Sequence, residues 1–347
     1  MFSLSLTRGH IALQSPRLYE DSWAWRKDGV FSSLRRGYHR RMFSYRHAFH
    51  AGNHADVLKH TILIALLRHL TQKDAALTVI DTHAGAGLYR LDGDYAGTSG
   101  EAADGILKLF STLKPQGKAP PAIPEIAPAL QDYLDLVASF NTSGNLKVYP
   151  GSPFIIQRLL REQARDKLKL FELHPTDIKS LVANIAQLKA GRQVAVARED
   201  GFEGLKAFLP PPARRALVLI DPSYEIKSDY PKVTASIQDS LKRFATGSYA
   251  VWYPVIPRPE AHEVPRRLKT LAIQAGKPWL HATLSIGQAD ERNVPGEPAR
   301  GQGLTASGMF VINPPHTLKA ALLLALPQML QVLGRGRGES QAVEAGG

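Results

Sequence analysis

The residues Asp56-Val-Leu-Lys-His-Thr-Ile-Leu-Ile-Ala-Leu-Leu-Arg-His-Leu70 place apolar side chains at helical spacing. Asp56 lies in the first turn and Arg68 and His69 in the last, the arrangement the helix dipole favours. A short β-branched run follows, Leu77-Thr-Val-Ile-Asp81, which ends in an acid and enters Thr82-His-Ala-Gly-Ala-Gly87. This spacing predicts a strand feeding a glycine turn. Further short apolar runs at Leu168–Leu173, Val194–Ala197, Ala216–Ile220, Tyr249–Tyr253 and Met309–Ile312 read as buried parallel strands. Helical patterns at Ile155–Arg165, Asp177–Lys189 and Lys232–Phe244 separate several of them. Alternating strands and helices predict an α/β fold with a Rossmann-like, doubly wound sheet.

Other segments break this rhythm. The stretch near residues 90–148 is much longer than one crossover helix needs. It holds a Pro-rich segment, Lys114–Pro124, and a helical pattern at Ala129–Phe140, and is expected to be an inserted helical subdomain. Gly287–Gly303 and the tail from Gly334 to Gly347 are expected to be flexible. Residues 1–41 are basic and Ser-rich without apolar periodicity. They read as a disordered extension ahead of a domain spanning 42–333, with Met42 a plausible original start. The same composition also fits an organellar transit peptide.

Composition narrows the chemistry. Among 347 residues there is no Cys, which removes disulfides, thiolate nucleophiles and Cys-ligated metals. No apolar run approaches the roughly 18 residues of a membrane helix. No membrane partner is expected, and the missing Cys excludes a disulfide-stapled secreted protein without fixing the compartment. The net charge of +12 suits a polyanion. Eight basic and three acidic residues within 1–41 account for five of those charges.

The glycine turn fits neither a Walker A loop, since Leu88-Tyr89 follows Gly87, nor a full dinucleotide fingerprint, since Arg90 occupies the third glycine position. It does fit the first motif of class I methyltransferases. There an acid, here Asp81, ends the first strand, and a glycine turn including Gly85 lets backbone approach S-adenosylmethionine (SAM). His83 stands where glycine is customary. A sharper signal is Asp221-Pro222-Ser223-Tyr224 after Ala216–Ile220. It is similar to the Asp-Pro-Pro-Tyr type motif of N6-adenine and N4-cytosine methyltransferases, with Ser223 in place of the second proline. The exocyclic amine of a base is a poor nucleophile because its lone pair is delocalised. The Asp221 carboxylate and Pro222 carbonyl can accept its two N–H bonds and redirect that lone pair. Tyr224 offers a ring on which a flipped base could stack. Glu172 and Asp200 end two further strands, where ligands of parallel sheets bind.

Seven His lie in residues 39–83. His47, His50, His54 and His60 with Asp56 could be weighed as metal ligands, but Gly52-Asn53 breaks the helical register and no His-Glu-x-x-His is present. No metal is expected. The segment reads better as a basic surface, with Arg41, Arg46 and Lys59, for phosphate and base.

These residues also resemble a family. Phe43-Ser-Tyr-Arg-His-Ala-Phe-His-Ala-Gly-Asn-His-Ala-Asp-Val-Leu-Lys-His60, Asp81-Thr-His-Ala-Gly-Ala-Gly87, Tyr149-Pro-Gly-Ser-Pro153, Glu172-Leu-His-Pro175, Asp221-Pro-Ser-Tyr224, Lys242-Arg-Phe-Ala-Thr-Gly247 and Leu304-Thr-Ala-Ser-Gly-Met309 closely resemble the bacterial 23S ribosomal RNA adenine-N6 methyltransferases of the RlmJ family. The resemblance implies a SAM-dependent enzyme that methylates N6 of one adenine in 23S rRNA, either protein-free or early in assembly, and acts as a monomer. It implies SAM contacts from His60, His83, Ser152, Glu172, Asp200 and Gly201, with Lys59 close by. Asp221 becomes the catalytic acceptor. Tyr45, with Arg46 and His47 beside it, would meet the RNA. The same chemistry on DNA, or an inactive nucleic-acid binder marked by Ser223, remain alternatives.

Overall fold

A computed structural model describes residues 50–92, 101–115, 122–141, 144–288 and 303–347. The extension 1–41, the residues Tyr45, Arg46 and His47 expected to meet RNA, and most of the Gly287–Gly303 loop lie outside them.

The first helix, α1, spans His54–Leu70. Asn53 caps it by accepting the Asp56 N–H at 2.9 Å, and Asp56 accepts the Gly52 N–H at 2.8 Å in return. Nearly all of α1 is buried, including Lys59 and His60. Its apolar residues reach round the helix and its buried polar ones cluster in the first turns, and it packs between elements from both ends of the chain.

Five parallel strands form the core of the sheet: β1 (Thr78–Asp81), β4 (Lys167–Phe171), β5 (Val194–Ala197), β6 (Ala216–Ile220) and β7 (Ser248–Pro254). Three antiparallel strands extend it: β8 (Trp279–Gln288), β9 (Ala306–Ile312) and β10 (Arg337–Gly346). The order across the sheet is β10-β8-β9-β7-β6-β1-β4-β5. Strand β1 sits between β4 and β6, with Asp81 level with Leu170 on one side and Leu219 on the other. Chain connections leave β1 in both directions. The carboxyl end of β1 is therefore a topological switch point, where open α/β sheets place their ligands.

Helices cover both faces. One face carries α1, a π turn at Ala103–Leu107, α2 (Lys108–Leu113), α3 (Pro128–Ala138), α4 (Ser152–Leu159), α5 (Asp177–Gln187) and, late in the chain, α9 (Leu318–Leu333). The other carries α6 (Gly201–Phe208), α7 (Asp229–Arg243) and α8 (Pro259–Gln274). A small antiparallel pair, β2 (Leu88–Arg90) with β3 (Val148–Pro150), stands on either side of the segment holding α2 and α3. None of the helices among the described residues is long and apolar enough to cross a membrane.

The tail corrects an expectation. Residues 337–346 pair antiparallel with β8 from Arg337↔Gln288 to Gly346↔Trp279. Its Gly- and Glu-rich sequence lacks an apolar alternation strong enough to advertise a strand. The edge of β8 supplies the missing reason: its free backbone groups accept a partner that needs few buried side chains. Gly336 and Gly338, at φ +101° and +84°, make the tight entry.

Candidate active site

The strand ends converge on a cleft of about 220 Å³. Lys59, His60, His83, Gly85, Ser152, Glu172, Asp200, Gly201, Asp221 and Pro222 all line it. Residues spread over more than 160 positions thus meet in one place, as the sequence motifs anticipated.

Backbone approaches closely where glycines occur. A Cβ on Gly201 would lie 2.0 Å from the Thr82 carbonyl oxygen, and one on Gly85 would lie 2.3 Å from the Tyr89 hydroxyl. Gly85 also takes φ +59°. The first turn of α6 is thereby pressed against the end of β1, with Asp200 as its N-cap accepting the Phe202 N–H at 2.9 Å. Glu172 bridges the glycine turn and the chain after β4. Its carboxylate accepts the Gly85 N–H at 2.8 Å and the His174 N–H at 2.6 Å. Burial pushes the Glu172 pKa up despite those two N–H donors.

At the other end of the cleft is an ion-pair chain. Lys59 Nζ lies 2.5 Å from Asp221 Oδ2 and 2.8 Å from Asp56 Oδ1, with Lys59 and Asp56 almost wholly buried. Burial works against the ammonium charge, but Asp221 and Asp56 outweigh it and raise the Lys59 pKa. The lysine thus remains a cation and holds the Asp221 carboxylate at the cleft. His83 is the opposite case: burial lowers its pKa to about 4, so the ring is neutral. It packs edge-on against Phe202 at 4.9 Å and its Nδ1 lies 2.8 Å from Thr82 Oγ1.

Two residues assigned to the site stand apart from the cleft wall. Asp81 is fully buried, and its carboxylate accepts the Ser152 hydroxyl at 2.6 Å and the His83 N–H at 3.3 Å. Its part is to aim Ser152 and the turn, because its own oxygens lie beneath the surface. Tyr224 is 2% exposed and is not among the lining residues. The chain takes φ +54° there and carries the ring inward, where its hydroxyl donates to the Trp252 carbonyl at 2.7 Å and the ring packs on Tyr230. The open stacking platform expected from Tyr224 is therefore absent from this conformation. Tyr224 instead braces the loop that presents Asp221 and Pro222.

Of the histidines weighed as ligands, His50 pairs with Glu101 at 2.9 Å and His60 with the Tyr149 hydroxyl at 2.7 Å, while His54 is buried with its pKa lowered by burial to about 4. Among the described residues, no three His, Asp or Glu side chains assemble as a metal site. In the sequence Asp56 stands out as a first-turn acid favoured by the helix dipole, and its pairing with Lys59 emerges in the fold. Its spacing of three from Lys59 is the sequence signal for the ion pair.

Comparison with known proteins agrees with this geometry. Residues 74–344 match the family described as ribosomal RNA large subunit methyltransferase D, RlmJ. The chain is 42% identical over 286 residues to ribosomal RNA large subunit methyltransferase J of Escherichia coli K12, covering 82% of this chain and 92% of that protein. It is 40% identical over 294 residues to the protein of the same name from Haemophilus influenzae, covering 84% and 94%. A crystal structure of a Legionella pneumophila protein superimposes with a TM-score of 0.70 at 32% identity, over 86% of this chain and 98% of that one. With the family model matched over most of the chain and these relatives matched over most of their length, the chain belongs to the RlmJ family of ribosomal RNA large subunit methyltransferases.

Proposed function

We propose that the chain methylates the exocyclic N6 of an adenine in 23S rRNA, with SAM as the methyl donor. The observation that carries this reading is the Lys59–Asp221 ion pair beside Pro222 in the cleft.

The donor set fits SAM. Glu172 and Asp200 stand at the ends of adjacent strands, where they suit the ribose hydroxyls and adenine of a nucleoside. Gly85 and Gly201 let the glycine turn and the first turn of α6 pack closely on Tyr89 and Thr82, which sets the backbone wall on which such a ligand would rest. His60, His83 and Ser152 complete the wall. SAM bound there would supply an electrophilic methyl group.

The chain's own residues prepare the amine. Asp221 accepts one N–H of the adenine and the Pro222 carbonyl the other. Both hydrogen bonds draw the lone pair of N6 out of conjugation and toward the incoming methyl. Lys59 fixes the Asp221 carboxylate in position and supplies the compensating charge. Ser223 is exposed at the rim of the cleft, and having it in place of the usual second proline leaves the Asp221 and Pro222 acceptors in place. One chain suffices in this reading, acting in the cytoplasm on rRNA that is protein-free or early in assembly.

The test is mass spectrometry of 23S rRNA from a deletion strain complemented with wild type or Asp221→Ala. N6-methyladenine should return only with wild type. Equal levels with both would overturn the enzyme reading, and equal transfer in vitro to duplex DNA and protein-free rRNA would overturn the choice of RNA.

A further inference from the structure

A line of three buried side chains runs from the helical segment to the cleft. Tyr133, on α3, places its hydroxyl 3.1 Å from that of Tyr149, on β3. The Tyr149 hydroxyl lies 2.7 Å from His60 Nδ1, and the two rings stack with centroids 5.6 Å apart. Tyr133 and Tyr149 are 0% exposed and His60 is 1% exposed. His60 is also a wall of the cleft.

Counting protons gives the chain a direction. Among the described residues, Tyr149 is the single hydrogen-bond partner of the Tyr133 hydroxyl. If His60 donated from Nδ1, Tyr149 would have to donate to Tyr133, and the Tyr133 proton would be buried with no acceptor. A buried donor left unsatisfied is strongly disfavoured. In the reverse direction every proton is used: Tyr133 donates to Tyr149, and Tyr149 donates to His60 Nδ1. Burial raises the pKa of both phenols, so both remain protonated donors. A histidine whose Nδ1 accepts carries its one proton on Nε2.

We infer that Tyr133 and Tyr149 are positioning residues that fix His60 as its Nε2–H tautomer, so that it offers an N–H donor to an acceptor atom of the bound cofactor. This rests on the reading of the cleft as the SAM site. It gives the helical segment a part in cofactor binding, although Tyr133 itself does not line the cleft.

The test is long-range 1H–15N correlation spectroscopy of the full chain labelled with 15N-histidine, without cofactor, using His60→Asn to assign the signals. His60 should show a non-protonated Nδ1 and a protonated Nε2. Tyr149→Phe should abolish that preference and weaken SAM binding, measured by calorimetry, about tenfold for one lost hydrogen bond. Tyr133→Phe should keep the tautomer, because Tyr149 can still donate, and weaken SAM binding by about two- to threefold. A protonated Nδ1 in the parent overturns the inference, and so does Tyr149→Phe with unchanged tautomer and affinity. Should Tyr149→Phe fail to fold, the parent spectrum and Tyr133→Phe decide. A parent that shows the expected tautomer but binds no SAM would leave the relay standing and bring down the cofactor reading.

Discussion

At the amino ends of the parallel strands, Asp166 is as deeply buried as Asp81 is at their carboxyl ends, yet the two carboxylates are treated in opposite ways. Asp166 receives Arg161 at 2.9 Å and the N–H groups of Leu77 and Arg161 at 2.8 and 2.9 Å. Burial opposes its charge, but those donors outweigh it and lower its pKa. Arg161 and Arg215 then tie the loop after α1 through the carbonyls of Leu70, Thr71, Lys73 and Ala75. Asp81 has only a hydroxyl and one long N–H contact, and burial raises its pKa to about 6. One end of the sheet is a closed knot in which the buried acid is matched by Arg161 and two N–H donors, and Arg215 adds bonds to backbone carbonyls. The other keeps its acids under strain, as a site that must exchange ligands requires. Burial alone does not separate structure from function. The donors around a buried acid do.

The sharpest break between the two ends should come from Asp221→Ala. It should lower turnover roughly 1000-fold, the order expected for removing a preorganised acceptor, while chemical stability and SAM affinity stay close to wild type. Single-turnover methylation and urea unfolding measure the two halves of that statement. Asp166→Ala should do the reverse. It strands Arg161 and two N–H groups and should cost about 3 kcal/mol in urea unfolding, with activity per folded molecule retained. Loss of activity without loss of stability would dissolve the distinction. Glu172→Gln weakens the charged hydrogen bonds that hold the glycine turn, and should raise the SAM dissociation constant about tenfold with a smaller effect on turnover at saturation.

The smallest effect is one of pH. Because the folded pKa of Asp81 lies above its ordinary 3.8, the folded state holds the extra proton between about pH 4 and about 6. The contribution of Asp81 to stability therefore falls as pH rises through that window and stays low above it. Asp166, with its lowered pKa, contributes stability above its ordinary range that is lost as pH falls. Asp81→Asn should flatten the first dependence and Asp166→Asn the second, as read from unfolding curves between pH 2.5 and pH 7.5. Equal slopes in both variants would mean that the two acids share one environment.

The cleft was largely legible because its acids end strands. Asp81, Glu172, Asp200 and Asp221 each follow an apolar run, and a parallel sheet aligns such ends without further instruction. Direction was not legible at that level. Tyr224 reads as a platform in its motif, yet a left-handed φ and the Trp252 carbonyl turn it inward. Nor were the partners of His60, since Tyr149 lies 89 positions away and Tyr133 reads as one aromatic on an amphipathic helix. The Arg161–Asp166 knot is local in sequence, but its meaning depends on a loop that precedes it by almost 90 residues. Strand β10 escaped because its stabilisation comes from the neighbour's backbone rather than its own side chains.

The position of α1 has a consequence for how the protein is made. This helix emerges early in synthesis, and much of what covers it emerges late: it packs against β9 and α9, near the end of the chain. Its Lys59 must also wait for Asp221, 162 positions downstream. A growing chain therefore carries a largely apolar helix whose cover is completed only when elements about 250 residues downstream have been made, which leaves that surface exposed to misassociation in the meantime. The order of assembly is then two-staged: the Lys59–Asp221 pair can close once Asp221 has been made, but the helix that carries Lys59 is fully covered only after β9 and α9 follow.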